Sequence, residues 1–158
     1  MIKTFNYKES EYLDSTMKSE DKKVVYLGNN EYKVKKELKR GDIVTIDFGI
    51  GVGREKSGIR PAVVVSRTEL NSYRETILVA PITSLKNKFK SYESTFVDLY
   101  PSQFILSKKF YTELNATSVV ETENMRTLSK HRINGFIGSL SAKSIEALDK
   151  CLTYSIGN

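Results

Sequence analysis

The chain has 158 residues, 39% of them hydrophobic and 28% charged, with a net charge of +6 and a single cysteine. That length suits one domain with a genuine core. No run approaches the ~18 consecutive apolar residues of a membrane span. The N-terminal stretch Met1–Ser10 lacks the apolar segment of a secretory signal, and a lone Cys151 excludes an internal disulfide and a cysteine metal cage. A cytoplasmic protein is expected, and its basic charge, at a pI near 9.3, leans weakly toward a polyanionic partner.

Residues 1–40 differ from the rest, with ten Lys/Arg, seven Asp/Glu, no proline and only Gly28. Tyr12-Leu13 and Met17 have loosely helical spacing, and Leu27-Gly28-Asn29-Asn30 reads as a turn. A partly helical N-terminal extension over residues 1–38 is expected, followed by one domain over residues 39–158. From Arg40 the pattern turns to strands. Asp42-Ile43-Val44-Thr45-Ile46-Asp47-Phe48 alternates like a half-buried strand. Gly49-Ile50-Gly51-Val52-Gly53 reads as a mobile strand–strand loop, without the spacing or the helix start of a phosphate cradle. Pro61–Ser66 and Thr76–Ile82 are runs suited to buried strands, with further strands at Ser94–Leu99 and Ser118–Val120. Short strands at this spacing predict a small barrel or sandwich. At the end the period changes. Ile145, Leu148 and Leu152 lie on one helix face, with Ser141 as N-cap and Gly157 as stop.

No standard catalytic set is visible. The only histidine, His131, lies in the polar turn Leu128–Arg132 and reads as solvated. The carboxylates are scattered without metal-ligand spacing, so no metal and no cofactor is expected. What remains is arginine and hydroxyl chemistry at strand ends. Pro61 holds Arg60 in an extended backbone just before a buried strand. Pro81-Ile82-Thr83-Ser84 ends another strand on two hydroxyls. Lys86, Lys88 and Lys90 follow, interleaved with Phe89, a basic and aromatic combination suited to single-stranded nucleic acid. A solvated basic hairpin explains these lysines equally well.

Four landmarks carry a family resemblance. Lys39-Arg40-Gly41-Asp42-Ile43-Val44 and then Gly53-Arg54-Glu55-Lys56-Ser57-Gly58-Ile59-Arg60-Pro61-Ala62-Val63-Val64-Val65 resemble the opening of the MazF/PemK toxins. Val79–Ser84 is similar to the next landmark, and Leu114–Val120 with Met125–Ile133 to the later ones, in order, over about residues 39–157. The resemblance implies a mainly β fold with α, a small SH3-like, CcdB/PemK-type β-barrel with a C-terminal helix. It implies a sequence-selective, metal-independent endoribonuclease toxin acting on single-stranded RNA as a homodimer and neutralised by an acidic antitoxin. The family's catalytic arginine falls on Arg60 and its threonine on Thr83. RNA contacts fall on Glu55, Ser57, Ser84, Lys86, Lys88, Lys90, Glu123 and Asn124, the last where close relatives often carry Gln.

In that chemistry the RNA supplies its own nucleophile, the 2′-OH, and the protein aligns it and neutralises charge at phosphorus. Arg60 suits the charge role, because its planar fork can hold two phosphoryl oxygens. The products implied are a 2′,3′-cyclic phosphate and a 5′-OH. Two other readings stay open at this stage. One is a non-enzymatic CcdB-like gyrase poison on the same fold, which would not need the Arg60/Thr83 pair. The other is an inactive SH3-like binding module in which Arg60 merely pairs with Glu55.

Overall fold

Every second residue of the central strands faces the opposite way, and in this chain both sets are apolar. That pattern organises the fold. The computed structural model describes residues 6–8, 22–26, 31–88 and 99–157, with side chains described for 37–86 and 99–157. Near the N-terminus lie β1 (Asn6–Lys8), β2 (Lys22–Tyr26) and β3 (Glu31–Lys36), a three-stranded sheet of order β1-β3-β2. The described parts of the extension are therefore strands, where a partly helical segment was expected. The reason is local: Val24-Val25-Tyr26 is β-branched and aromatic, and Tyr32 and Val34 alternate with charged residues. The helical spacing at Tyr12–Met17 and the turn at 27–30 lie outside the described residues.

The domain that follows runs β4 (Asp42–Asp47), β5 (Ile59–Val64), α1 (Thr68–Tyr73), β6 (Thr76–Ser84), α2 (Leu85–Lys88), β7 (Gln103–Leu106), β8 (Ser118–Glu121), β9 (Arg126–Ser129), β10 (Ile133–Ser139) and α3 (Ala142–Ile156). Short 3-10 turns occupy Thr122–Asn124 and Lys130–Arg132. The strands form one antiparallel sheet of order β10-β4-β5-β6-β8-β7, and β9 also pairs with β6. The sheet is open rather than closed into a barrel. Its nine-residue β6 serves as the spine, pairing with β9 through Thr76–Val79 and with β8 through Ile82–Ser84. The strand expected at Ser94–Leu99 falls almost wholly outside the described residues.

The alternation builds two cores, one on each side of the sheet. Ile43, Val63, Val65, Ala80 and Ile82 meet Leu148 and Cys151 of α3 on one side. Val44, Ile46, Phe48, Ala62, Val64, Ile77 and Val79 gather with Leu38 and Leu128 on the other. Strand β4 is thus buried on both faces and not half-buried, because β10 and β5 flank it and both cores draw on it. Leu38 is itself buried, so the domain begins no later than that residue.

Two buried polar groups are held at the edges of this arrangement. Asp42, 2% exposed, accepts hydrogen bonds from the Lys39 amide at 2.9 Å and the Ser139 hydroxyl at 2.7 Å. Asn71 donates to the Leu38 and Ser66 carbonyls and accepts from the Ser66 hydroxyl, which in turn accepts from the Leu78 amide. Buried polar atoms are tolerated because they are paired in this way. Helix α3 starts where expected, with the Ser141 hydroxyl accepting from the Ser144 amide at 3.2 Å, and stops at Gly157, at φ 76°. Arg40 ties the start of β4 to α3 through Asp149, at 2.6 Å.

Gly41 shows why this strand start needs glycine. Its φ is +88°, and a Cβ there would lie 2.4 Å from Cδ1 of Ile145 on α3. Gly41→Ala combines a left-handed backbone with displaced core packing, so it is expected to cost about 2 kcal/mol or more. Thermal or urea unfolding of the variant measures this, and unchanged stability would refute the close approach of α3 to β4.

Candidate active site

The polar ends of strands β5, β6 and β8 share one face. Ala62 pairs with Pro81 across β5 and β6. The ladder ends at that pair, and Arg60 and Thr83 each lie two residues beyond it on their own strands. Thr83 pairs with Val119 on β8, and Gln103 on β7 pairs with Glu121. Residues two apart on a strand share a face, so Arg60, Thr83, Glu121 and Gln103 continue the face whose other end is the apolar cluster of Ala62, Val64 and Val79. The site is the polar margin of a core.

Arg60 is half-buried. Its Nε and Nη2 both donate to the Ser57 carbonyl, at 3.1 and 2.8 Å. The backbone of the β4–β5 loop thereby aims the guanidinium. Glu55 is not its partner: that carboxylate accepts from the Val52 amide at 3.0 Å, within its own loop. The loop is closed at its base by the Gly58 amide donating to the Gly49 carbonyl at 2.8 Å, while Ile50 at its tip is 96% exposed. Arg126, lying over the Phe48 ring, donates to the carbonyls of Phe48 and Lys56 at 3.4 Å and braces the loop from β9.

Thr83 sits in a network that the sequence did not point to. Its hydroxyl donates to Oε2 of Glu121 at 3.2 Å. Nζ of Lys56 lies 2.7 Å from the same carboxylate oxygen and 3.5 Å from the Thr83 hydroxyl. Asn124 donates to that oxygen as well, at 3.5 Å. The Glu121 side chain is 5% exposed and that of Lys56 22%. A carboxylate so far out of water requires such partners. Lys56 stands between two residues singled out from sequence, Glu55 and Ser57. Glu121 follows directly on the apolar Val119-Val120. A charged residue at the end of a strand ordinarily reads as the return to solvent, which is why neither was found. A signal was available, since Glu121 keeps the strand's alternation on the face of Thr83 and not on that of Ile82.

The other expected site residues divide by position. Glu123 and Asn124 lie on the short turn after β8. The buried Thr122 fixes that turn through its hydroxyl, which donates to the Ser102 carbonyl at 2.7 Å and contacts the Ser155 hydroxyl of α3 at 2.6 Å. Gln103 donates to Glu123. Ser57 is exposed, Ser84 is half-buried opposite Ser118, and Lys86 is exposed on α2. The Lys88 side chain and all of Lys90 lie outside the described residues. His131 is exposed, with Nε2 3.7 Å from the Glu75 carboxylate. Burial pushes the Cys151 thiol up, and the charge of Glu123 adds to the shift, which disfavours the reactive thiolate.

Among the described residues no three His, Cys, Asp or Glu side chains gather as a metal site, and no helix is long and apolar enough to cross a membrane. A hollow of about 870 Å³ lies on the α3 side, lined by Phe104, Tyr111, Ile137 and Ala147 among others. It is on the face opposite Thr83 and separate from the polar site.

The described fold has counterparts among known proteins. Residues 39–156 match the profile of the PemK-like, MazF-like toxins of type II toxin–antitoxin systems. An endoribonuclease MazF from Staphylococcus saprophyticus is 32% identical over 120 residues, spanning 76% of this chain and 92% of that protein. The crystal structure of MazF from Deinococcus radiodurans aligns with a TM-score of 0.60 at 21% identity, over 78% of this chain and 100% of that one. A mycobacterial endoribonuclease in complex with its cognate antitoxin aligns with a TM-score of 0.56 at 16% identity, over 76% and 95%. At these identities the two structures speak for the fold, and the profile and the staphylococcal relative for the family: the chain belongs to the PemK-like, MazF-like toxins of type II toxin–antitoxin systems and is a MazF-like endoribonuclease toxin.

Proposed function

We propose that Arg60 and Thr83 carry the cleavage of single-stranded RNA, by attack of the 2′-OH on the adjacent phosphate without a metal. The observation that supports this most directly is the β5–β6 register, since Arg60 and Thr83 each lie two residues beyond the Ala62–Pro81 pair that ends it. Arg60 contributes fixed positive charge. A guanidinium offers hydrogen-bond donors and no acceptor, so it is assigned to stabilising the phosphoryl oxygens and not to moving a proton. Two of its nitrogens share one backbone carbonyl. That tether orients the group before RNA arrives, so little reorganisation accompanies the reaction. Thr83 contacts the 2′-OH or the phosphate. The products are a 2′,3′-cyclic phosphate and a 5′-OH, and DNA resists because it lacks the attacking hydroxyl.

Glu55, Ser57 and Lys86 line the path of the RNA strand, Ser84 at the end of β6 and the following Lys88 and Lys90 add to its binding, and Glu123 and Asn124 read its bases. The Gln103–Glu123 contact and the anchored Thr122 support a preorganised reading edge. The protein works as a cytoplasmic homodimer, with the RNA path crossing the subunit interface and an acidic antitoxin segment competing for it. The net charge of +6 and the antitoxin complexes among its structural neighbours support this. A gyrase poison or a plain binding module is disfavoured, because Arg60 is not spent on Glu55.

Three outcomes test the reading. Purified protein given a long single-stranded RNA in EDTA should produce discrete cuts with 5′-OH ends, and a single 2′-deoxy substitution at a mapped cut should abolish that cut. Loss of all cleavage in EDTA would argue for a metal. Arg60→Ala should lower kcat about 10²- to 10³-fold with a small change in RNA affinity, read by single-turnover cleavage and by binding to the 2′-deoxy substrate. Removal of residues 1–36, a cut that spares the buried Leu38, should leave cleavage largely intact. A folded but inactive truncation would place the extension in the site.

A further inference from the structure

The arrangement around Thr83 answers a question that the Arg60/Thr83 pair leaves open, namely where the proton of the 2′-OH goes. Arg60 cannot take it, because a guanidinium offers donors and no acceptor. A threonine hydroxyl takes it only if a base stands behind it. His131, the one imidazole of the chain, is at Glu75 and not at Thr83. Of the described carboxylates in the site, Glu55 caps its own loop and Glu123 accepts from Gln103, while Glu121 touches Thr83 directly.

A hydroxyl has one hydrogen, and that of Thr83 points at Oε2 of Glu121, 3.2 Å away. Its oxygen accepts from Nζ of Lys56 at 3.5 Å through one lone pair, which leaves the second to accept from the 2′-OH. We propose that Glu121 is a positioning residue of the cleavage step, orienting the Thr83 hydroxyl and taking through it the proton of the attacking 2′-OH. The inference rests on the assignment of Thr83 and Arg60 above. In the step, the 2′-O–P bond forms as the P–O5′ bond breaks. The 2′-OH proton passes to Oγ1 of Thr83, and the hydroxyl proton of Thr83 passes to Oε2 of Glu121. The departing 5′-oxygen takes a proton from solvent, and Glu121 returns its own to solvent after the cyclic phosphate leaves.

Lys56 sets the conditions for this. Its ammonium lies 2.7 Å from the carboxylate of the nearly buried Glu121, and an opposite charge in contact favours the charged form of an acid. The other titratable or charged groups on the elements packed around Glu121 are Glu123 on the following turn, Arg126 on β9 and Arg60 on β5. Arg126 is committed to backbone carbonyls and Arg60 to Ser57. Among the described residues Lys56 is a cation in direct contact with the carboxylate, and its removal favours the neutral acid. The acid limb of activity then moves to higher pH.

The experiment is a pH profile of single-turnover cleavage at saturating RNA for wild type, Glu121→Gln, Lys56→Met, Thr83→Val and Arg60→Ala, each checked for folding by its melting transition. Glu121→Gln keeps an oxygen for the Thr83 hydroxyl but removes the base. It should lower the rate about 10²- to 10⁴-fold, leave KM nearly unchanged and erase the acid limb, while Glu121→Asp restores part of the rate together with an acid limb. Lys56→Met leaves Glu121 in place and should shift the limb toward higher pH, which keeps the test open even if Glu121→Gln fails to fold. An acid limb at its wild-type position in Glu121→Gln or in Lys56→Met overturns the relay, whatever the rate. If Thr83→Val and Arg60→Ala cleave normally, the site assignment itself fails. If they are inactive while Glu121→Gln cleaves normally, only the relay does.

Discussion

The two-sided burial of β4, β5 and β6 is the constraint on which the rest of this structure depends. A strand whose successive residues all go into cores cannot present a functional side chain along its length. Chemistry is left to the ends, where the chain leaves the apolar layers. Arg60 precedes the buried run of β5, Thr83 follows the buried run of β6, and Glu121 ends β8. The antiparallel register then converts three sequence-distant strand ends into neighbours. Because the strands are locked on both faces, these side chains start from backbone positions that move little, which is what a site relying on fixed charge and alignment requires.

Two buried carboxylates show how the fold handles charge. Asp42 is satisfied by a backbone amide and a serine hydroxyl, at the point where β4, β10 and the entry to the domain converge. Its hydrogen bonds are closed within the structure, so its role is to hold the chain. Glu121 is held instead by an ammonium, a hydroxyl and an amide side chain, three groups on the site face. Both are nearly inaccessible, yet their partners differ in kind. Partners that can exchange protons are what the proposed role of the second carboxylate draws on.

Helix α3 links the two functions of the domain. Leu148 and Cys151 fill one core, Ile145 packs on Gly41, and Ser155 and the Cys151 carbonyl meet the hydroxyl of Thr122. The turn carrying Glu123 and Asn124 is therefore fastened to the same helix that seals the sheet. A turn of three residues needs such an anchor, because it has no hydrophobic face of its own.

Much of this was legible in the chain. Runs such as Pro61–Ser66 and Thr76–Ile82 announced buried strands through β-branched composition. Ser141 and Gly157 bounded the last helix, since caps are local chemistry. Arg60 and Thr83 stood out because proline rigidifies one and ends an apolar run beside the other, and the ordered landmarks identified the family. Other features required the fold. Alternation in β4 suggested one wet face, but both faces are dry, because burial depends on what the neighbouring strands bring. The extension looked partly helical from Tyr12–Met17, yet its described parts pair as strands. Lys56 and Glu121 were invisible as a pair, since 65 positions separate a loop lysine from a strand-end glutamate and only the register of β6 and β8 brings them to one hydroxyl. Sequence by itself determined the period and the caps and singled out candidate side chains, because these are properties of neighbours along the chain. Tertiary structure alone decided which of those side chains share a few ångströms, because that distance is set by strand order and pairing.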